Sequence, residues 1–350
     1  MSDLLAPYDA MMLVSFGGPE GPNDVLPFME NVTRGRGIPT ERLVEVSAHY
    51  ARFGGVSPIN AQNRALLNAM RVEFAARHIN VPIAWGNRNW TPYIVDGLGE
   101  LQAGGARRVL AFVTSAYSSA SGCRQYREDI ETACRSLGPD APVVDKVRVF
   151  YNHPGFVEPM AERTAAALRC LPDGADVVFT AHSIPQSMAD TSDYVAQLQE
   201  TATLIMAAMG EGGVRRHDLV FQSRSGAPGQ PWLEPDISDH LRARHRDGST
   251  GVAIVPIGFI SDHMEVVWDL DTQAANTAAD LDLPIVRAAT VGTDPRFVAM
   301  IVDLALERAA SARHEDPIRV ALGTRGANHD VCPVDCCPMP TRQTPPGRPQ

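Results

Sequence analysis

The stretch "GFISDHMEVVWDLDTQ", Gly258 to Gln273, sets Asp262, Glu265, Asp269 and Asp271 directly after the apolar run "VAIVPI". Positions 262, 265, 269 and 273 recur at spacings of three and four, so a regular helix would align them on one face, acidic until Gln273 ends it. A second candidate is His182, which closes the run "VVFTAHSIP" just before Pro185 bars helix continuation. Neutral imidazole takes up a proton or binds a transition ion near neutral pH. Carboxylates hold a partly hydrated cation or carry protons away. An imidazole facing a line of carboxylates therefore suits a reaction that moves protons and a divalent cation together. Each feature also has a structural reading. Asp262-x-x-Glu265 matches a capping box, acids in a first turn complement the helix dipole, and a histidine can simply bond to backbone in a core. Capping leaves Asp269 unexplained, because it lies one turn further in on the same face.

The elements that must position these residues alternate between apolar runs and amphipathic stretches. The strand candidates are 10 to 16, 81 to 87, 107 to 115, 146 to 151 ("KVRVFY"), 175 to 182, 217 to 223, 251 to 260 and 283 to 290, and helical patterns cover 58 to 78, 121 to 137, 191 to 209 and 294 to 310. Such alternation predicts an α/β fold of parallel sheets flanked by helices. Eight strands divide into four and four, with "YNHPGF" (151 to 156) as the crossing between two doubly wound domains, 8–150 and 151–293. The helix at 294 to 310 is expected to pack back on the first domain. Residues 311–350 read as a cysteine-containing, proline-rich tail in which "PMPTRQTPPGRPQ" is a disordered end. Ligands of open parallel sheets bind beyond the carboxyl ends of the strands. If their strands share a sheet, His182 and Glu265 emerge on the same edge.

The 350 residues carry 31 basic and 41 acidic side chains, and a net charge of −10 argues against a general nucleic-acid binder. The apolar runs fall well short of the roughly 20 residues that span a bilayer. The N-terminus has Asp3 and Asp9 and no basic region, so it reads as a short tail entering a strand, and a cytoplasmic location is expected. "SFGGPEGP" (15 to 22) looks like a phosphate loop, but Pro19 removes an amide donor and Glu20 adds charge where an anion would sit. A tight strand-to-helix turn near a flat ligand fits better. Of six cysteines, Cys332, Cys336 and Cys337 crowd into "CPVDCCP" while Cys123, Cys134 and Cys170 are dispersed. In a reducing compartment that cluster points to metal or redox chemistry more than to structural disulfides.

Taken together, "LVSFGGPEGP", "NVTRGRG", "HYARFGGVSPIN", "GNRNW", "TSAYSSASGCRQYRED", "FTAHSIP", "QSRSG", "PWLEPD" and "PIGFISDHMEVVWDLD" resemble the ferrochelatases, specifically the actinobacterial coproporphyrin ferrochelatase type, from about Tyr8 to Arg308. The resemblance implies two Rossmann-like domains with a porphyrin cleft between them, and insertion of Fe(II), a substrate, into coproporphyrin III without ATP. It implies that His182 is a metal ligand and acceptor of pyrrole protons, that Glu265 is its partner across the ring, and that Asp269 continues an acidic path. The path loses its third carboxylate here at Gln273. Ser57 and Tyr126 match porphyrin-contacting positions, Tyr50 a wall residue and Arg34 a propionate partner. Phe16 stands where some bacterial members carry an iron-ligating tyrosine, so it should only pack on the macrocycle.

Several ferrochelatases carry a [2Fe–2S] cluster with three ligands near the C-terminus and one from an internal loop. By that resemblance Cys332, Cys336 and Cys337 supply three and Cys123 the fourth; a zinc site or free thiols are the alternatives. Protoporphyrin IX or another divalent metal gives the nearest rival activity, and a haem carrier or redox sensor on a chelatase fold is the non-enzymatic one. The protein is expected to act as a monomer with a transient haem-pathway enzyme partner. The chemistry is physically coherent. A hydrated metal cannot enter a flat ring that carries two N–H protons, so a cleft must distort the ring while imidazole and carboxylates strip water and protons.

Overall fold

A computed structural model describes residues 4–35, 38–210, 216–225 and 229–339 of the chain. Strand β1 (Ala10–Ser15) leads into helices α1 (Val25–Val32), α2 (Thr40–Ala51) and α3 (Ile59–Ala76). Then follow β2 (Ile83–Asn87), α4 (Ile94–Ala103), β3 (Arg108–Val113), a π-helical turn (Ala120–Arg124), α5 (Gln125–Leu137) and β4 (Val143–Lys146). The chain continues through α6 (Pro154–Leu168), β5 (Asp176–His182), α7 (Gln186–Ala189), α8 (Tyr194–Ala208), β6 (His217–Gln222), α9 (Ile237–Arg246) and β7 (Val252–Val255). Helix α10 (Met264–Trp268), a π-helical segment (Asp269–Ala274), α11 (Ala275–Asp280), β8 (Ile285–Arg287) and α12 (Pro295–Ala312) follow.

The strands form two four-stranded sheets, ordered β2-β1-β3-β4 and β6-β5-β7-β8, and every pair is parallel. Strands β1, β5 and β7 are apolar almost throughout because helices cover both faces of each sheet. One apolar cluster runs from Leu13 and Phe112 of the first sheet through Phe150, Phe156 and Phe297 to Phe179 of the second. Polar groups add register across it: Tyr117 Oη donates to the Ile257 carbonyl (3.0 Å), and the Gln197 amide pairs with Ser118 through its backbone N–H (2.7 Å) and hydroxyl (3.0 Å). Helix α12 opens on Asp294, whose side chain accepts from the Arg296 N–H, with Pro295 at the first helical position. It packs against both α3 and α6, so apolar residues occupy most of its circumference.

Two sequence-based expectations change. The run "KVRVFY" is not the fourth strand; β4 lies upstream, and only Lys146 is shared. The last sheet bond of this strand runs from Val147 N–H to Ala111, after which Arg148 turns inward to pair with Glu307 of α12 (Nε to Oε1, 2.6 Å). Beyond Val147, the residues Val149, Phe150 and Tyr151 fill the core without joining the sheet, so their apolar character reports burial and not pairing. The segment after α12 is also less tail-like than its composition suggests. The Val320 carbonyl accepts from Arg148 (2.8 Å), the Leu322 and Gly326 carbonyls from the Asn152 amide (3.2 and 2.8 Å), and Glu200 accepts the backbone N–H groups of Thr324 and Arg325. This strap carries Cys332, Cys336 and Cys337 across the molecule toward α5. Of the expected disordered end, residues 338–350, all but the first two lie outside the described residues.

Candidate functional site

The parallel neighbours β5 and β7 deliver His182 and the loop before Glu265 to one sheet edge. His182 is the last residue of β5, opposite Gln222 of β6. Gln222 reaches over to donate to the Glu265 carbonyl (2.9 Å), and Tyr194 of α8 donates to the His182 carbonyl (3.0 Å). His182 Nδ1 is hydrogen-bonded to the Ser183 carbonyl, which can only accept, so Nδ1 carries the hydrogen. Nε2 then faces Glu265, with Oε1 at 3.5 Å, where it can take up a proton and donate it to the carboxylate. Burial alone would lower the imidazole pKa, but the Glu265 carboxylate, the Ser183 bond and Asp269 outweigh it, and the pKa is raised above its ordinary value. Glu265 keeps 45% of its side chain exposed, so the pair is open to an arriving ligand.

The acidic run does not form the single regular helix that its spacing predicts. Helix α10 begins at Met264, and its cap is His263, whose Nδ1 accepts from the Glu265 N–H at 3.2 Å. The capping-box reading of Asp262 is therefore replaced. Arg287 (3.2 and 3.3 Å) and Thr290 (3.2 Å) hold the Asp262 carboxylate beside a cavity of about 260 Å³ lined also by Gln62 and Asn63. From Asp269 the helix widens to the π form, which breaks the shared face before Gln273. Asp269 stays with Glu265: burial pushes its carboxyl up to about 7, the Ser223 hydroxyl bond opposes this and the Glu265 charge adds to it. Imidazole, carboxylate and a carboxyl that titrates near neutrality thus stand in sequence along one edge.

Facing this edge is an aromatic group drawn from both halves. Phe28 makes edge contacts with Phe16 (6.3 Å), Tyr50 (6.3 Å) and Trp90 (6.2 Å), while Met264 and Trp268 of α10 join the same cluster. His49 stacks on Trp268 at 3.9 Å, seating α2 against α10. Gly17 and Gly18 allow the close approach behind Phe16: a Cβ on either would stand 2.7 Å from Asn87 or Ser57 Cβ, and Gly17 also has φ +81°. Ser57 is buried against Gly18. Tyr126 is buried under the Arg88 guanidinium (4.9 Å), which also covers Phe16 (5.8 Å) and pairs with Asp129. Arg34 is exposed at the end of α1, bonded to Asn31. Phe16, Tyr50, Glu265, Asp269 and His182 are thus brought together, while Ser57 and Tyr126 sit behind the wall and Arg34 at its rim.

Sequence reasoning missed His263, Ser223, Gln222, Phe28 and Trp268. His263 and Trp268 lie inside the motif "PIGFISDHMEVVWDLD" and Gln222 and Ser223 inside "QSRSG", and that adjacency was the available signal; Phe28 gave none, because an aromatic residue on a helix usually means core.

A second constellation forms where the strap meets the π-helical turn. Cys123 Sγ and Cys332 Sγ are 3.8 Å apart, Cys336 Sγ and Cys337 Sγ 3.7 Å, and all four line one hollow with Arg124, Arg127 and Lys146. Thiolates sharing one tetrahedral metal at about 2.3 Å lie about 3.8 Å apart, so each pair has the bite of one metal centre. Lys146 Nζ donates to Cys123 Sγ (3.3 Å), and Arg124 donates to the Val334 and Cys336 carbonyls. The Cys332 hydrogen bond and Lys146, against burial, hold the Cys123 thiol well below its usual range. Cys134 bonds instead to the Pro142 carbonyl, and Cys170 is exposed. The donor set fits a cluster that requires thiolate ligands.

Two helix-flanked parallel sheets, the second with a histidine and carboxylates at its carboxyl edge, define a chelatase-type α/β protein. The structure resembles that of SirB from Bacillus subtilis with Fe3+, with a TM-score of 0.54, 15% identity, and coverage of 87% of this chain and 97% of that one; this likeness bears on the fold. The ferrochelatase family model matches residues 8–309. The coproporphyrin III ferrochelatase of Streptomyces coelicolor is 54% identical over 97% of this chain and 96% of that protein. The ferrochelatase of Rhodopirellula baltica is 50% identical over 97% and 96%, and the coproporphyrin III ferrochelatase of Mycolicibacterium smegmatis 49% over 85% and 88%. The chain belongs to the ferrochelatase family, the lyases that insert metal into porphyrins.

Proposed function

We propose that this protein inserts Fe(II) into coproporphyrin III to form the iron porphyrin in haem biosynthesis, without ATP. The observation that carries the reading is the line His182, Glu265 and Asp269 facing the Phe16, Phe28 and Tyr50 wall. The wall takes the flat macrocycle. His182 Nε2 and Glu265 meet the metal and receive the pyrrole protons, and Asp269, which titrates near neutrality, passes protons on. Phe16 packs on the ring and offers the metal no donor. The choice of coproporphyrin is supported by the names of the most similar relatives and by the arginines around the wall. Arg34 at the rim and Arg52 over Trp268 suit a substrate with four carboxylates. Ser57 and Tyr126 support the wall from behind.

We also assign Cys123, Cys332, Cys336 and Cys337 as the holders of a [2Fe–2S] cluster, on the strength of the two matched sulfur pairs. When bound, such a group supplies a one-electron redox centre. Thiolate ligation of this kind fits a reducing compartment, and we assign the protein to the cytoplasm. Among the described residues no helix is long and apolar enough to cross a membrane. We read it as a monomer that passes its product to a further haem-pathway enzyme.

The test is anaerobic Fe(II) insertion into coproporphyrin III and protoporphyrin IX, followed by absorbance. A higher kcat/KM for coproporphyrin III is expected. Equal or reversed preference would return the protein to protoporphyrin chemistry, and tight binding without turnover of either would make it a carrier.

A further inference from the structure

The strap that carries the cysteines also carries a histidine in the spacing His329-x-x-Cys332-x-x-x-Cys336. A ring nitrogen of His329 and the sulfurs of Cys332 and Cys336 all lie within 4.8 Å of one another, and they are the group of this kind found among the described residues. The trio takes one sulfur from each of the two cysteine pairs and adds a nitrogen that neither pair contains. The strap is anchored on both sides of the histidine: the Asn152 amide holds the Gly326 carbonyl, and Arg319, which also donates to Ser311 Oγ (3.1 Å), pairs with the Asp330 carboxylate. Donors of one tetrahedral ion stand about 3 to 4 Å apart, so the trio closes on an ion by side-chain shifts of an ångström or so at the exposed His329 and the partly exposed Cys332 and Cys336.

We propose that, in the absence of a cluster, His329, Cys332 and Cys336 hold a single divalent transition ion of the zinc or cobalt type, with solvent in the fourth position. One imidazole and two thiolates match the borderline softness of these ions. Binding converts both thiols to thiolates and releases their protons to solvent. Because Cys332 and Cys336 belong to both donor sets, the ion and a four-cysteine cluster exclude each other, so a bound divalent ion keeps the protein in a cluster-free form. That exclusion rests on the cluster assignment above; the single-ion site does not.

The experiment is titration of the full-length, reduced, cluster-free protein with Co2+ alone under anaerobic conditions, reading the thiolate-to-cobalt charge-transfer band, which binding at His182 and Glu265 cannot produce. The expected result is one thiolate-bound ion per chain. The band should persist in Cys123→Ser and Cys337→Ser, vanish in Cys332→Ser and Cys336→Ser, and need at least about tenfold more Co2+ in His329→Ala. Loss of the band in Cys123→Ser or Cys337→Ser, or an unchanged titration in His329→Ala, would overturn the proposal in favour of an all-sulfur site. Separately, His329→Ala should take up a [2Fe–2S] cluster with the visible absorbance of the wild type. Loss of that absorbance would make His329 a cluster ligand and likewise overturn it, while a wild type that never shows it sinks the cluster assignment and leaves the cobalt result standing.

Discussion

His182 Nε2 stands 3.5 Å from Glu265 Oε1, and the same imidazole is turned by its Nδ1 bond to the Ser183 carbonyl so that Nε2 faces the carboxylate. Glu265 is the main group that keeps the half-buried imidazole basic. Replacing it with glutamine should cut kcat for metal insertion by at least about a hundredfold, lower the His182 pKa, and leave porphyrin binding within a few-fold of wild type. Steady-state kinetics, with ring-proton NMR titration of His182, checks this. A normal kcat in the variant would reduce Glu265 to a member of the helix.

Asp269 makes a pH prediction. Its carboxyl is pushed up to about 7 by burial, whereas an unfolded aspartate titrates near 4. Between those values the folded chain holds a proton that the unfolded chain has lost, so stability falls as pH rises through the window. His182, also raised, adds loss in the same direction above its ordinary pKa. Asp269→Asn should flatten the pH dependence measured by urea unfolding from pH 4 to 8, with a gain at the alkaline end of at most about 4 kcal/mol. An unchanged slope would contradict the burial argument.

Phe28 makes three of the edge contacts that hold the aromatic wall together. Phe28→Ala should destabilise the protein by about 3 to 5 kcal/mol and raise the KM for porphyrin more than it lowers kcat. Phe28→Leu should recover much of both. Equal losses in KM and kcat would mean that the wall also shapes the transition state.

Arg148 and Glu307 form a nearly inaccessible pair, with side chains 1% and 6% exposed. Removing the carboxylate in Glu307→Ala leaves a buried guanidinium uncompensated and should cost about 3 to 5 kcal/mol. Since Arg148 also holds the Val320 carbonyl at 2.8 Å, limited proteolysis should begin to cut the strap. A stable variant with a protected strap would show that water replaces the carboxylate.

Lys146 donates to Cys123 Sγ at 3.3 Å and to the Cys123 carbonyl at 3.4 Å. Hydrogen bonds and positive charge near cluster sulfurs favour the reduced, more negative state. Lys146→Met should therefore lower the reduction potential of the proposed cluster, measured by potentiometric titration of the cluster-loaded protein, with the visible spectrum retained. No change in potential would confine Lys146 to holding the backbone of the π-helical turn.

The sheets were legible because both of their faces are covered: runs such as "VVF" (177 to 179) and "VAIVPI" (252 to 257) are apolar and lie between turns, a pattern that composition and length resolve. Strand four was misread because "KVRVFY" is apolar for another reason, burial between α12 and the core, and periodicity does not distinguish a sheet partner from a packing partner. His182 and Glu265 were found by residue type at predicted strand ends, and Cys123 was chosen over Cys134 and Cys170 by its motif.

The sequence alone determined which residues have the chemistry and which edge of a parallel sheet they can occupy, since both follow from side-chain type and local apolar pattern. Only the tertiary structure decided that β5 and β7 are neighbours, that His263 and not Asp262 caps α10, and that a π-helical segment parts Gln273 from the acidic line. It alone brought a strap 209 residues distant to Cys123 and set Phe28 between Phe16, Tyr50 and Trp90. Those outcomes depend on long-range packing and on competition among hydrogen-bond partners, such as Arg287 claiming Asp262, which no local spacing encodes.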